Sequence, residues 1–476
     1  LSRTVSTPRL LIVGLGLVAL TVAVLQTAVV PVLGVIAEQL HASPVAVSWA
    51  VTGNLLAAAA STPLLGRLAD LYNKKRVLLG VLAVVLIGSI LAATTSSLAL
   101  LVAARVLQGV SFALYPICVA ILREEVAEEA VGGALAILSG TLGFGGGMGL
   151  VVTGLLMNGD AGYHRVFWLT AGFTAIIMVL AVVVIPSRAA ESEGSIDWLG
   201  AGGLALGLSG VLLAITQGNT WGWAAPATIA VAVAGVLVLV GWWWWEDRRP
   251  YPLVSIAMLT RRAVMLTNLA TILVGTGLYF GFLGVTQFVQ TDRAIAGYGF
   301  NASVLYASLV FLLPGALAGF VTATLSGRFI DRYGARPVLM IGAVTGVVGF
   351  AALSVAHDLV WQVIATNILI NAYISLAYGA LPALVVSEVD SGETGVATGM
   401  NAIARTVGSA IAAAIVAVLL SHPTPATGLP PERSFIIVFI AGAGTAAVAT
   451  LLIALTRGRK RSATTVDSRA MIHEWG

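Results

Sequence analysis

The chain has 476 residues, of which 58% are hydrophobic and 10% charged, with a net charge of +4 and a mean hydropathy of +0.98. Soluble globular chains carry about 25% charged residues, so this composition excludes an ordinary water-soluble globule and requires lipid as solvent. The basic excess sits in loops and tails, where it reports membrane topology and anionic headgroups rather than nucleic acid.

Apolar stretches of about 20 residues, the length that crosses a hydrocarbon core, recur along the whole chain. Fourteen spans are predicted, near 10–33, 46–71, 77–94, 98–122, 131–157, 164–185, 196–216, 224–245, 262–290, 302–326, 336–355, 359–386, 392–420 and 434–456. The first run is too long for a secretory signal and lacks a small-residue cleavage site, while Leu1 points to a trimmed or edited start. An even count places both termini on one face. Of 25 Lys and Arg, 20 fall on that face, three (Arg165, Arg293, Arg433) on the other, and two (Arg105, Arg405) inside spans. Both termini of an inner-membrane protein are therefore predicted to be cytoplasmic. Arg outnumbers Lys 22 to 3, which favours a GC-rich bacterial source.

Between the second and third spans lies a short charged loop, Gly66-Arg67-Leu68-Ala69-Asp70-Leu71-Tyr72-Asn73-Lys74-Lys75-Arg76. It returns between the tenth and eleventh spans as Gly327-Arg328-Phe329-Ile330-Asp331-Arg332-Tyr333-Gly334-Ala335-Arg336. A repeated helix pair joined on one face is an internal duplication. It predicts a six-helix half at 1–190, an inserted pair at 191–250, a second six-helix half at 251–460 and a tail at 461–476. Gly66 and Gly327 permit close helix approach, and Asn73 occupies a turn position where a left-handed backbone favours Gly.

The fourth span carries Arg105-Val106-Leu107-Gln108-Gly109. A guanidinium inside a span is costly unless paired or hydrated, so it is a functional candidate by default, with Gln108 one turn away on the same face. Packing of Arg105 against backbone carbonyls is the plainer alternative. Cys118, the one cysteine, permits no intramolecular disulfide and reads as a packing residue. Trp242 to Trp245 end the inserted pair beside charged residues, where indoles sit at headgroup level with hydrated N–H groups.

The duplicated loop, Trp49-Ala50-Val51-Thr52-Gly53-Asn54 at the start of the second span, Arg105 to Gly109, and Gly399-Met400-Asn401 through Arg405 to Gly408 together resemble the major facilitator superfamily. The fourteen-span layout is similar to its drug:proton antiporter branch. The resemblance implies an all-α integral membrane fold and a secondary transporter that exports amphipathic molecules by alternating access. It also implies that Asp70 with Arg67, Lys74, Lys75 and Arg76, and Asp331 with Arg328, Arg332 and Arg336, form charge networks that hold one conformation and break in the other.

Two stretches depart from that family pattern. Gln26 stands where the first span of the branch has an Asp, and an amide does not titrate. The fifth-span glycine motif keeps Gly145, Gly149 and Gly154 but has Leu150 for its proline and Thr153 for one glycine, so helix packing is favoured there over coupling. All 21 carboxylates fall in predicted loops, tails or span ends. Transport is expected to be proton-linked by resemblance, yet without an obvious mid-membrane acid. Either Asp70, Asp292 or another end-of-span acid takes the proton, or the protein is uncoupled, or Gln26 records a loss.

The candidate cavity residues are Gln26, Asn54, Arg105, Gln108, Phe112, Tyr115, Tyr279, Gln287, Tyr306, Asn367, Asn371, Tyr378, Asn401 and Arg405, with lipid-facing or core packing an equal reading for each single aromatic. Multivalent cations need buried carboxylates to offset desolvation, so a neutral, anionic or lipid-like amphiphile is expected. A lipid transporter or importer of the same fold, or a non-transporting receptor, are the alternatives. No metal cluster, phosphate loop or nucleophile-base pair is present and the five histidines lie in loops or the tail, so neither an enzyme nor a cofactor is expected. The expected partners are a small-molecule substrate, protons and membrane lipids, with the chain a monomer.

Overall fold

The computed structural model describes residues 8–157, 162–188, 195–421, 424 and 427–456. The tail at 461–476 and part of the linker before the inserted pair lie outside the described residues. The first sextet is α1 (Pro8–Thr27), α2 (Pro44–Leu71), α3 (Lys74–Thr94), α4 (Leu98–Glu125), α5 (Glu128–Leu156) and α6 (His164–Val184). The inserted helices are α7 (Trp198–Trp221) and α8 (Pro226–Glu246). The second sextet is α9 (Arg262–Gln290), α10 (Ala307–Tyr333), α11 (Ala335–Val355), α12 (Val360–Val386), α13 (Thr394–Leu420) and α14 (Glu432–Leu455). Among the described residues 13 of these helices are long and apolar enough to cross a membrane. The remaining one, α2, has 28 residues and is diluted by Asn54, Ser61, Thr62, Pro63, Arg67 and Asp70. No strand occurs among the described residues.

Local chemistry sets the breaks. Asn73 does not take a left-handed backbone. Its φ is −56°, and its Oδ1 accepts the Arg76 N–H at 3.0 Å as the N-cap of α3. In the second loop Gly334 does adopt φ +86°, so one turn is solved by a cap and the other by a glycine. A 3-10 turn at Val110–Ala113 interrupts α4. A π turn at Ala307–Leu312 opens α10 just before Pro314, whose missing N–H a regular helix cannot use. The first predicted span, 10–33, ends early, because Val30–Val32 is a 3-10 turn holding Pro31.

Packing repeats between the sextets. In the first, α1 packs on α5, α2 on α4 and α3 on α6. In the second, α9 packs on α13, α10 on α12 and α11 on α14. The sextets meet where α5 lies along α10 and α2 along α13. Small residues allow these approaches: a Cβ on Gly147 would lie 2.6 Å from Ala316 Cβ, and one on Gly66 would lie 2.8 Å from the Gly395 carbonyl oxygen. Gly145 and Gly149 face α1 at Leu20 and Thr27, and Gly154 faces Leu305.

The inserted helix α7 packs on both α2 and α13. Leu212 joins Ala59 and Ala410, Gln217 Nε2 donates to Thr52 Oγ1 at 3.2 Å, and Asn219 Nδ2 donates to the Ala414 carbonyl at 3.1 Å. Of the tryptophan run, Trp243 and Trp244 are exposed as expected of headgroup anchors. The other two have protein partners instead of water: Trp242 Nε1 donates to Glu246 at 3.0 Å and Trp245 Nε1 to Asp197 at 2.8 Å.

Candidate functional site: a polar cavity between two helix sextets

A cavity of about 140 Å³ lies between the sextets, walled by α1, α4, α5, α9, α10, α12 and α13. Seven of the sequence-derived candidates line it: Gln26, Phe112, Tyr279, Asn367, Asn371, Tyr378 and Arg405. Ser375, Thr406 and Ser409 add hydroxyls that the sequence reading did not single out. Hydroxyl-bearing residues in apolar spans give no pattern that separates a cavity face from a back-bond to the preceding turn.

Gln26 and Tyr279 come from opposite sextets, and Gln26 Nε2 donates to the Tyr279 hydroxyl at 3.0 Å. Asn367 Nδ2 donates to the Phe311 carbonyl at 2.7 Å, and Asn371 Nδ2 donates to Asn367 Oδ1 at 3.0 Å. Arg405 is half-buried, its guanidinium carbon 4.8 Å from the Tyr378 ring centroid and 5.5 Å from that of Tyr115. Among the described residues that line the cavity, Arg405 carries the one formal charge, and no carboxylate lines it.

Arg105 stands behind the wall. It is 2% exposed, and donates from Nε to the Ala50 carbonyl at 3.2 Å and from Nη1 to the Leu25 carbonyl at 3.2 Å and Gln108 Oε1 at 2.7 Å. Gln108 Nε2 continues to Ser89 Oγ at 2.9 Å, and Asn54 Nδ2 donates to the Arg105 carbonyl at 2.9 Å. This knot ties α1, α2, α3 and α4 together, with Nε and Nη1 of the guanidinium on carbonyl and amide acceptors. Tyr115 is likewise buried, its hydroxyl 2.7 Å from Ser139 Oγ, with its ring turned to Arg405. Asn401 Nδ2 donates to Asn268 Oδ1 at 2.9 Å and Thr271 Oγ1 at 2.8 Å, joining α13 to α9. Gln287 and Tyr306 stand outside the cavity. Gln287 is exposed because Gly284, Val285 and Phe288 form the buried stripe of α9, and Tyr306 is 47% exposed.

The face carrying the duplicated loops is latched by contacts that differ from the expected charge networks. Asp70 accepts the Gly395 N–H on Oδ1 and the Val396 N–H on Oδ2, each at 3.0 Å. Asp331 Oδ1 accepts the Gly133 N–H at 2.8 Å. Asp70 therefore caps the first turn of α13, where N–H groups lack intrahelical partners and the dipole favours an anion, whereas the Gly133 N–H that Asp331 meets lies past the first turn of α5. Lys74 and Arg67 act on Asp70 electrostatically, but the direct contacts of the basic residues are with other groups: Lys74 pairs with Glu124, Lys75 Nζ donates to the Val182 carbonyl at 2.7 Å, and Arg336 Nη2 donates to the Ala454 carbonyl. Arg332 lies over the Tyr333 ring at 5.3 Å, Arg76 and Arg328 are exposed, and Arg67 is partly buried. Arg123 is a latch residue the sequence did not reveal, since at a span end it reads as a topology charge. It donates to the Val389 carbonyl at 2.8 Å, the Asp390 carbonyl at 3.2 Å and Thr394 Oγ1.

Two repeat-related sextets around a cavity with a few polar groups on an apolar bed are the architecture of a membrane transporter. The chain belongs to the major facilitator superfamily, whose family model, described as Major Facilitator Superfamily, matches residues 15–413 and 269–471. It is a transporter rather than an enzyme. A tetracenomycin C resistance and export protein of Streptomyces glaucescens is 28% identical over 430 residues, 87% of this chain and 76% of that protein. A uridine/deoxyuridine transporter of Lactococcus lactis subsp. cremoris is 27% identical over 365 residues, 75% of this chain and 74% of that protein. The crystal structure of the human organic anion transporter MFSD10 (TETRAN) superposes with a TM-score of 0.66 at 14% identity, covering 94% of this chain and 99% of that one, which is a likeness of fold.

Proposed function

We propose that the protein exports an amphipathic small organic molecule, neutral or anionic, across the inner membrane by alternating access. Residues 1–190 and 251–460 are the two units that rock about the cavity, and 191–250 steadies the seam between α2 and α13. The face bearing Asp70 and Asp331 is cytoplasmic, as the distribution of Lys and Arg favours, so the described conformation is closed toward the cytoplasm.

The observation that carries this reading is the lining of the cavity: amides, tyrosines and one arginine on an apolar bed, with no acid among the described lining residues. Such a lining accepts an aromatic or lipid-like body with a few hydrogen-bonding groups. The similarity to an antibiotic export protein supports the outward direction. Import of a nucleoside is the second reading, favoured by the amide groups of Gln26, Asn367 and Asn371 beside tyrosine rings, and by the similarity to a uridine/deoxyuridine transporter.

Direction separates the two. Inside-out vesicles carrying the protein should accumulate an exported dye, and whole cells expressing it should exclude the dye. Cells that instead take up labelled uridine faster than controls would replace export with import.

A further inference from the structure

We propose that Arg405, held between the rings of Tyr115 and Tyr378, is the subsite for a single negative charge on the transported molecule. The membrane potential acting on that charge then drives export, with no carboxylate among the described residues that line the cavity. The inference rests on the export reading above.

Three observations converge on it. First, the two mid-span arginines have different surroundings. Arg105 is 2% exposed, does not line the cavity, and is tied through Nε and Nη1 to two backbone carbonyls and the Gln108 amide. Arg405 lines the cavity, and its neighbours there are ring faces, 4.8 Å and 5.5 Å away. Rings held over a guanidinium leave its N–H edge free, and that edge matches a carboxylate or sulfonate with two parallel hydrogen bonds.

Second, no resident counter-ion is at hand. The ion pairs among the described residues, such as Lys74 with Glu124 and Arg249 with Asp197, lie at helix ends, and none involves Arg405. A guanidinium is strongly solvated in water, and a ligand that closes over Arg405 must replace that solvation. A neutral ligand leaves the charge desolvated and a cation adds repulsion, whereas an anion neutralises it.

Third, Gln26 presents an amide, which does not titrate, to the cavity and donates its hydrogen to Tyr279. With no acid among the described lining residues, the membrane potential can supply the work of the cycle. A bound monoanion makes the loaded cavity electrically neutral, so the loaded form crosses between conformations without net charge at Arg405. Over a full cycle the charge moved is that of the anion alone, toward the electrically positive side. In a cell that direction is outward.

The test uses the purified full chain in proteoliposomes, with potassium gradients and valinomycin setting the potential in either sign. The probes are the monoanion 8-anilinonaphthalene-1-sulfonate and the monocation ethidium, with protein-free liposomes as blanks. The wild-type protein should move the sulfonate toward the positive side at least tenfold faster than ethidium, and several-fold slower when the potential is reversed. Arg405→Gln should lower the sulfonate flux at least tenfold while remaining monodisperse, and Arg405→Lys should restore part of it. Wild-type protein that moves neither dye overturns the export reading itself. Wild-type protein that moves ethidium as fast as the sulfonate, a sulfonate flux indifferent to potential, or an Arg405→Gln protein with unchanged sulfonate flux overturns the anion subsite and leaves export standing. The first two of these readouts need no variant to fold.

Discussion

Asp70, one residue before the end of α2, and Gly395, in the first turn of α13, belong to opposite sextets yet are joined by a 3.0 Å hydrogen bond from the Gly395 N–H to the carboxylate. The geometry is set by glycine on both sides: Gly66 and Gly395 let the helices approach until the carboxylate reaches the free N–H groups. At the duplicated position Asp331 also accepts an N–H from the opposite sextet, that of Gly133, past the first turn of α5. A cap between rigid bodies is a good element for a two-state device, since it is made in one conformation and released to water in the other.

Asp70→Asn keeps the shape and removes the charge. Hydrogen bonds to a charged acceptor are worth about 1.5–3 kcal/mol, so the closed state should lose on the order of 1–3 kcal/mol, enough to populate the conformation open on this face. In a Cys118→Ala background with a cysteine at Ser375 in the cavity wall, labelling by an impermeant maleimide applied from the duplicated-loop face should rise about tenfold or more. Unchanged labelling would show that the cap does not set the equilibrium.

Arg105→Ala should act through stability first. The substitution leaves Gln108 Oε1 and the carbonyls of Ala50 and Leu25 without their donor, at a cost of about 2–4 kcal/mol, and Lys cannot reproduce the three-way fork. Melting temperature in detergent should fall for both Arg105→Ala and Arg105→Lys. Cys118→Ala, at a fully buried packing position, should leave transport unchanged. An Arg105→Ala protein as stable as wild type but inactive would return Arg105 to a direct role in transport.

The sequence made the helices and the duplication legible because both are written in long patterns: apolar runs set by bilayer thickness, and a charged loop that occurs twice. Six of the seven cavity residues were legible because amides, tyrosines and a cation are conspicuous in apolar spans; Phe112 carries no such signal. What was hidden depends on three-dimensional approach. Arg105 and Gln108 have the same composition signal as Arg405, and only packing decides that one pair is knotted behind the wall while the other cation faces the cavity. Charge pairing was only part of Asp70's setting: Lys74 and Arg67 act on it electrostatically, but proximity in sequence says nothing about the N-terminus of α13 arriving from 325 residues away.

If the transported species carries one negative charge and no coupled ion, the potential sets the limit of accumulation. Moving one elementary charge through 100 mV is worth about 2.3 kcal/mol, a gradient of roughly 50-fold since about 1.4 kcal/mol is a factor of ten. The steady-state ratio of the sulfonate probe across proteoliposomes should therefore rise with the imposed potential toward that bound. Collapsing a pH gradient at constant potential should leave it unchanged. A ratio that follows the pH gradient instead would establish proton exchange.

Gln26→Asp supplies the acid that the cavity lacks, and its effect has a definite sign. Gln26 shares the cavity with Arg405, so an ionised Asp there supplies a competing counter-charge. At high pH the carboxylate is charged, and the sulfonate flux should fall several-fold while ethidium becomes a better substrate. As pH drops through the titration of the new group it becomes neutral, and sulfonate flux should recover toward the wild-type level. The substitution also shortens the side chain that reaches Tyr279, so Gln26→Asn serves as the control for the lost 3.0 Å hydrogen bond, and only the Asp variant should acquire the pH dependence. If the Asp and Asn variants show the same pH profile for both dyes, charge in this wall does not govern selection, and the electrostatic account of the cavity fails with it.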